Sequence, residues 1–365
     1  MNVHILPDNK FNKNFVPFSS GIGPFKNEYL SIPKSDSGPR FPVEDVQYFK
    51  SVNDILDKLK IETPRRIYVH GLWEWRSKLL KEIESQSPIT WVLYGVGVYK
   101  RLPFKKLYEP RTRPLKHFGK EKMTLLDWVR LFRRVRPNLT RYLQQRSTLS
   151  KLDSIAFWLR HDYESIVKTY FLNIDFIEFR YGDPVPFPHS ARQEVGTVSS
   201  LLLGNSADPS NNHLDALYKI SNTNFEGKIY CPLSYSGSQD YTSKVVDEGK
   251  RLFGANFVPL LEYIPKKEYF DLVDDVDAAL FYHRRQQAGN NIAYFLRSGK
   301  PVFLHPRSPL FPYFKEMKVD LVQPTTKFGD GLHISKSQVE KSRTVIEKWL
   351  SHEIKKARFE RLLTY

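Results

Sequence analysis

The residues best suited to chemistry lie midway along the chain. The apolar run Leu201-Leu-Leu stops at Gly204-Asn205-Ser206, and Asp208, Ser210, Asn211 and His213 follow before a helix-like spacing at Leu214, Leu217 and Ile220. A buried parallel strand that hands over to a helix through small polar residues offers backbone N–H groups and a positive helix end to a phosphate. The chemistry expected there is the cradling of a diphosphate, although a plain capped turn has the same residue types. A second cluster, His283-Arg284-Arg285-Gln286-Gln287-Ala-Gly289-Asn290-Asn291, pairs two guanidinium groups with amides and a glycine that opens a helix. Guanidinium suits phosphate, amides suit sugar hydroxyls, and the helix start suits anions. Tyr235 and Gly237, and Tyr263 with Ile264, end two further apolar runs of the same half.

The first half has its own candidates. His70 ends the run Arg66-Ile-Tyr-Val, and a histidine in a cleft titrates near neutrality, as a general base should. Glu74 and Asp8 are alternatives for the same role, and a structural histidine is an ordinary reading of His70. Gly71, Trp73, Tyr94 and Gly95 close two strand-like runs. Several familiar chemistries are excluded. Gly95-Val-Gly97 lacks the third glycine of a dinucleotide fingerprint, and neither a Walker lysine motif, His-Glu-x-x-His nor Gly-x-Ser-x-Gly occurs.

These residues need elements to hold them. Apolar runs alternate with helical spacing at Val3–Leu6, Arg66–His70, Ile89–Tyr94 and Ser154–Leu159. The pattern resumes at Val198–Leu203, Gly227–Pro232, Asn256–Leu260, Ala278–Phe281 and Pro301–Leu304. Such alternation predicts α/β architecture with parallel sheets. Helical spacing is predicted over Val43–Lys60 and over Ser335–Leu363. The proline-dense Tyr181–Pro188 reads as a linker, so the chain divides into a domain over 1–188, a second over 189–334, and a C-terminal helix over 335–365.

The length of 365 residues favours two domains, and 41% hydrophobic with 14% aromatic residues suffices for sizeable cores. One cysteine, Cys231, excludes an internal disulfide and a cysteine zinc site. No apolar run is long enough to span a bilayer, and the N-terminus lacks a signal-peptide pattern. A soluble or surface-bound protein is expected. The net charge of +16 is concentrated in a basic insert over 101–146, assigned to the first domain, which carries fourteen Lys/Arg against three acidic residues. Thr124-Leu-Leu-Asp127 opens a predicted helix there, with Trp128, Arg130, Arg133 and Arg134. Aromatic anchors among arginines suit an anionic membrane interface, and a solvated surface helix has the same pattern.

Four pieces, taken in order, resemble the TDP-N-acetylfucosamine:lipid II N-acetylfucosaminyltransferases, glycosyltransferase family 56. They are Tyr68-Val-His70-Gly71, Trp91-Val-Leu-Tyr94-Gly95, Leu202-Leu-Gly204-Asn205-Ser206-x-Asp208-x-Ser210-Asn211-x-His213, and Arg284-Arg285-Gln286-Gln287-x-Gly289-Asn290. The resemblance implies a GT-B fold, two Rossmann-like domains facing a cleft. The second would hold a nucleoside diphosphate sugar, with TDP expected. The first would meet a polyprenyl-pyrophosphate-linked glycan, and the last helix would cross back to the first domain. It implies a bacterial enzyme, cytoplasmic and peripheral on the inner membrane, with no resident cofactor or metal, the diphosphate being met by helix N-termini, Arg284 and Arg285. A non-hydrolysing nucleotide-sugar 2-epimerase shares this plan. A basic nucleic-acid-binding protein is the alternative from another class, for which no recognised module is present.

Overall fold

The computed structural model describes residues 1–73, 75–99, 107–117, 139–182, 185–189, 191–329 and 331–365. The chain divides into two compact units. The first takes the described residues of Met1–Phe104, Leu131–Asp183 and Ser351–Tyr365, the second those of Lys105–Arg130 and Pro184–Leu350.

In the first unit, the described residues form a seven-stranded sheet: β1 (Asn2–Leu6), β2 (Asn27–Ser31), β3 (Val46–Tyr48), β4 (Arg66–His70), β5 (Ile89–Val92), β6 (Ser154–Phe157) and β7 (Asp175–Glu178). Their order is β3-β2-β1-β4-β5-β6-β7, and every pairing is parallel. All residues of β1 and β4 are buried, as expected for central strands covered on both faces. The helical reading of Val43–Lys60 is corrected here. Val46–Tyr48 is the edge strand β3, and the helix begins at Val52, where Ser51 and Asp54 form a capping box. That reciprocal cap satisfies the helix start and separates it from the apolar residues before it.

The second unit carries a six-stranded, all-parallel sheet: β8 (Ser200–Leu203), β9 (Lys228–Pro232), β10 (Phe257–Leu260), β11 (Ala278–Phe281), β12 (Val302–Leu304) and β13 (Val322–Pro324), ordered β10-β9-β8-β11-β12-β13. Its amino edge is pinned by Asp277, which accepts the backbone N–H groups of Ser199 and Ser200, both hydroxyls, and Arg192. Burial opposes its charge, but the bonds from Ser199 and Arg192 outweigh burial and hold the carboxyl down to about 2. The carboxyl edge is thereby left to the loops.

The predicted helix over Ser335–Leu363 is two helices, Lys336–Leu350 and His352–Thr364, separated by Ser351, whose hydroxyl caps the second at Ile354 N. Ser351–Tyr365 falls in the first unit. There Phe359, Leu362 and Leu363 join the core around Phe15, Tyr68 and Phe179. Tyr68 Oη donates to Leu362 O at 2.6 Å, and Arg65 donates to the carbonyls of Leu363, Thr364 and Tyr365. Among the described residues, no helix is long and apolar enough to cross a membrane.

Candidate functional site

At the carboxyl edge of the second sheet, the loops after β8, β9 and β11 are hydrogen-bonded to one another. Gly204 has φ +70°, and a Cβ there would lie 2.7 Å from His213 Nε2, so conformation and space both require glycine. Beneath this loop His213 is fully buried, its Nδ1 2.9 Å from Tyr241 Oη, and burial lowers its pKa to about 3. Asn211, also buried, donates to Ser206 O at 2.9 Å and to Asp208 O. Both residues, expected to meet a ligand, shape the loop from below, and Asn211 Oδ1 and His213 Nε2, next to Gly204, have no hydrogen-bond partner among the described residues. The handover from β8 differs from the expected one as well. A 3-10 turn, Pro209–Asn211, precedes the helix His213–Ser221. Tyr235 Oη donates to Asn205 O at 3.0 Å, and Gly237 lies so close to Ala207 that a Cβ would sit 2.4 Å from its carbonyl oxygen.

The loop after β11 completes the cluster. Gln287 Nε2 donates to Asn205 Oδ1 at 2.7 Å. Ser210 Oγ accepts Arg285 Nε at 2.7 Å and stands 2.6 Å from Asp208 Oδ1 and 3.0 Å from Gln287 Oε1, its one proton serving one of the two. Arg285 also faces Asp208 Oδ2 at 3.4 Å. Gln286, Gly289 and Asn290 stand half-buried beside them. The helix Gly289–Arg297 starts from Ala288 in the left-handed region, with no side chain capping it. Its first N–H groups and Arg285 offer positive charge to an anion, while Asn205 and Gln287 offer amide groups fixed by each other. Tyr263 and Ile264 follow the edge strand β10, two strands from β8, and Tyr263 is exposed.

Several residues of this edge carried no sequence signal. Residues 107–115 come from the insert assigned to the first domain, but they dock on the second unit. Buried Asn212 accepts Glu109 N at 2.9 Å and donates to Leu107 O, Ser210 O and Tyr282 O. Asp215, an acid in the first turn of its helix, accepts Arg111 N, Thr112 N and Thr112 Oγ1 at 2.7–2.9 Å. Burial, then the Asp208 charge, raises the Tyr108 phenol. Glu109 Oε1 binds Arg284 Nη1 at 2.9 Å and faces His305 Nε2 at 3.4 Å. Arg284, expected free for phosphate, is therefore already matched by a carboxylate. A single glutamate in a basic run gives no hint of this, since the pairing is formed only by the docking.

The first sheet's carboxyl edge is built differently. Asn27 Nδ2 donates to Ser19 O, which turns its Oδ1 toward His4 Nε2 at 3.2 Å. His4 Nε2 then carries the proton, His4 Nδ1 accepts from His70 Nε2 at 3.0 Å, and His70 Nδ1 accepts from Tyr181 Oη. Burial lowers the pKa of His4 to about 3. For His70, burial first and then the neighbouring His4 and Arg76 hold it well below the usual range. With both nitrogens engaged and no exposure, His70 has no lone pair for a ligand, which corrects its assignment as general base. Asp8 is corrected likewise, because its oxygens accept the backbone N–H groups of Lys34, Arg40 and Phe41 and fix that loop. Glu74, Trp128, Arg130, Arg133 and Arg134 lie outside the described residues. Gly71, at φ +74°, leaves room for Trp73 to fold back over it. Trp73 meets Tyr94 edge-on, and Tyr94 stacks on Tyr181 at 4.8 Å, beside Gly95 at the start of a short helix.

Residues 176–348 match the family model of the 4-alpha-L-fucosyltransferases, glycosyl transferase group 56. The chain is a glycosyltransferase of the GT-B type. The matched span contains Gly204–His213 and Arg284–Asn290, whereas Tyr68–Gly71 and Trp91–Gly95 precede it. Solved structures share the glycosyltransferase's two-sheet fold at low identity. Sucrose-phosphate synthase from Thermosynechococcus elongatus is 8% identical, with TM-score 0.64 over 100% of this chain and 98% of its own. Anabaena HepE in complex with UDP is 10% identical, with TM-score 0.62 over 100% and 98%. A glycosyltransferase from Rickettsia africae is 10% identical, with TM-score 0.62 over 100% and 96%.

Proposed function

We propose that this glycosyltransferase moves a deoxy or acetamido sugar resembling N-acetylfucosamine from a nucleoside diphosphate, TDP being the expected one, to a lipid-linked glycan. The reaction would take place at the inner membrane surface, in cell-surface polysaccharide synthesis. The observation that carries this reading is the interlocked set Asn205, Ser210, Arg285 and Gln287, beside an uncapped helix start inside the family-matched span. Charge that develops on a departing diphosphate would meet Arg285 and the N–H groups at Gly289 without reorganisation, which lowers the barrier to breaking the anomeric bond. The net charge of +16 supports an anionic membrane partner.

The experiment is a transfer assay. TDP-linked N-acetylfucosamine is incubated with a polyprenyl-pyrophosphate-linked disaccharide in vesicles, and free TDP and extended lipid product are measured. The reading expects both in equal amounts. Release of an isomerised sugar with no new glycosidic bond would replace it with the epimerase reading.

A further inference from the structure

The strap over 107–115 adds a carboxylate, Glu109, to an edge that already holds Asp208 opposite Arg285. Glu109 is anchored through its own backbone, since its N–H is held by Asn212 Oδ1 at 2.9 Å. On either side, Leu107 O accepts from Asn212, and Arg111 and Thr112 are fixed by Asp215. Thr112 is fully buried, and the Arg111 guanidinium lies 3.5 Å from the centroid of the Tyr218 ring. The Glu109 side chain is mostly covered, with 17% exposure.

Only one oxygen of this carboxylate is used. Oε1 takes Arg284 Nη1 at 2.9 Å and faces His305 Nε2 at 3.4 Å. His305 Nδ1 accepts Arg307 N at 3.0 Å, so its proton is on Nε2, toward Glu109. Burial, then Arg284 and Arg307, lowers the His305 pKa to about 4, which leaves the ring neutral and Arg284 the full positive charge paired with Glu109 among the described residues. Oε2 has no hydrogen bond among the described residues, and it is not sealed from solvent. A carboxylate clamped through one oxygen, with the second open, can only accept hydrogen bonds there, and it repels phosphate. The group it fits is therefore a hydrogen-bond donor, and hydroxyls are the donors a nucleotide sugar carries in greatest number.

We propose that Glu109 is a ligand-reading residue of the donor site, whose Oε2 accepts a hydroxyl of the nucleotide sugar, on either the pentose or the transferred sugar. This rests on the donor-site reading given above. The strap then adds a charged acceptor to the amide groups that the loops of the second sheet supply. A hydrogen bond to a charged acceptor contributes on the order of 1.5–3 kcal/mol, so its loss should weaken binding about 10- to 100-fold.

The test is calorimetry on the full chain, wild type against Glu109→Gln, with three probes: TDP, the TDP analogue lacking the deoxyribose hydroxyl, and TDP-linked N-acetylfucosamine. A loss of about tenfold or more confined to the TDP sugar supports the proposal and assigns the hydroxyl to the transferred sugar. A loss shared by TDP and the TDP sugar, but not by the deoxy analogue, supports it and assigns the pentose. Equal loss on all three overturns it, because Glu109 would then act only by orienting Arg284 toward phosphate. No loss on any probe overturns it as well. Asp215→Ala, which frees the strap without touching the carboxylate, should reproduce the same selectivity. Failure of folded wild-type protein to bind any of the three would remove the donor-site reading itself, a result distinct from each of these.

Discussion

The carboxyl edges of the two sheets occupy the same topological position and have opposite character. In the first unit, His4, His70 and Tyr181 form a closed relay whose nitrogens and hydroxyl are used by one another, and Asp8 is spent on backbone N–H groups. In the second, Gln287 bonds Asn205, Arg285 bonds Ser210 and Glu109 bonds Arg284, but the first two pairs sit beside an uncapped helix start, and Glu109 Oε2 has no hydrogen bond among the described residues. Strand-end position alone thus does not make a site. What separates the two is whether polar atoms are left with bonding capacity after the protein has satisfied itself.

Substitutions can break this contrast, starting with the largest expected effect. His70→Ala should destabilise the protein by about 3 kcal/mol, because it opens a cavity and removes the bonds to His4 Nδ1 and the Tyr181 hydroxyl. Chemical denaturation measures this, and nucleotide affinity of the folded fraction should be unchanged. Arg285→Ala should do the reverse, with little change in stability and a loss of about 2 kcal/mol in diphosphate binding, read by calorimetry. An effect of His70→Ala on affinity as large as that of Arg285→Ala would erase the distinction.

Acid sharpens the comparison differently. His4, His213 and His283 have folded pKa values lowered to about 3, chiefly by burial, and His70 lies well below the ordinary value. The unfolded chain therefore binds more protons than the folded one below the ordinary histidine value of 6.5. Stability should be complete above that pH and fall as the pH drops toward about 3, by about 1.4 kcal/mol per pH unit for each histidine. Denaturation at pH steps through this window measures the slope. His70→Phe should flatten it, whereas Arg285→Ala should leave it alone. The smallest effect belongs to Tyr235→Phe, which removes a single hydrogen bond at a half-exposed ring and should cost less than about 1 kcal/mol in nucleotide affinity.

Much of the architecture was legible because buried parallel strands are continuous apolar runs. Leu201–Leu203, Ile89–Val92 and Ala278–Phe281 show this plainly. Val46–Tyr48 was not, since a three-residue edge strand merges into the periodicity of the helix after it. At the site, Gly204, Asn205, Arg285 and Gln287 could be found from residue type and position. His70 and Asp8 misled because a residue's type does not reveal how many of its bonds are used internally. Glu109, Asn212, Asp215 and His305 were invisible, because their roles arise from a strap far away in sequence docking on the second sheet.

The central claim is that the second sheet's edge binds the nucleotide. The most direct test is calorimetric titration of TDP and UDP into wild type, Asn205→Ala and Gln287→Ala, with melting curves to confirm folding. The account predicts binding of one diphosphate by wild type and its loss in both variants at unchanged melting temperature. Undiminished affinity in the folded variants, or no binding by folded wild type, would contradict it.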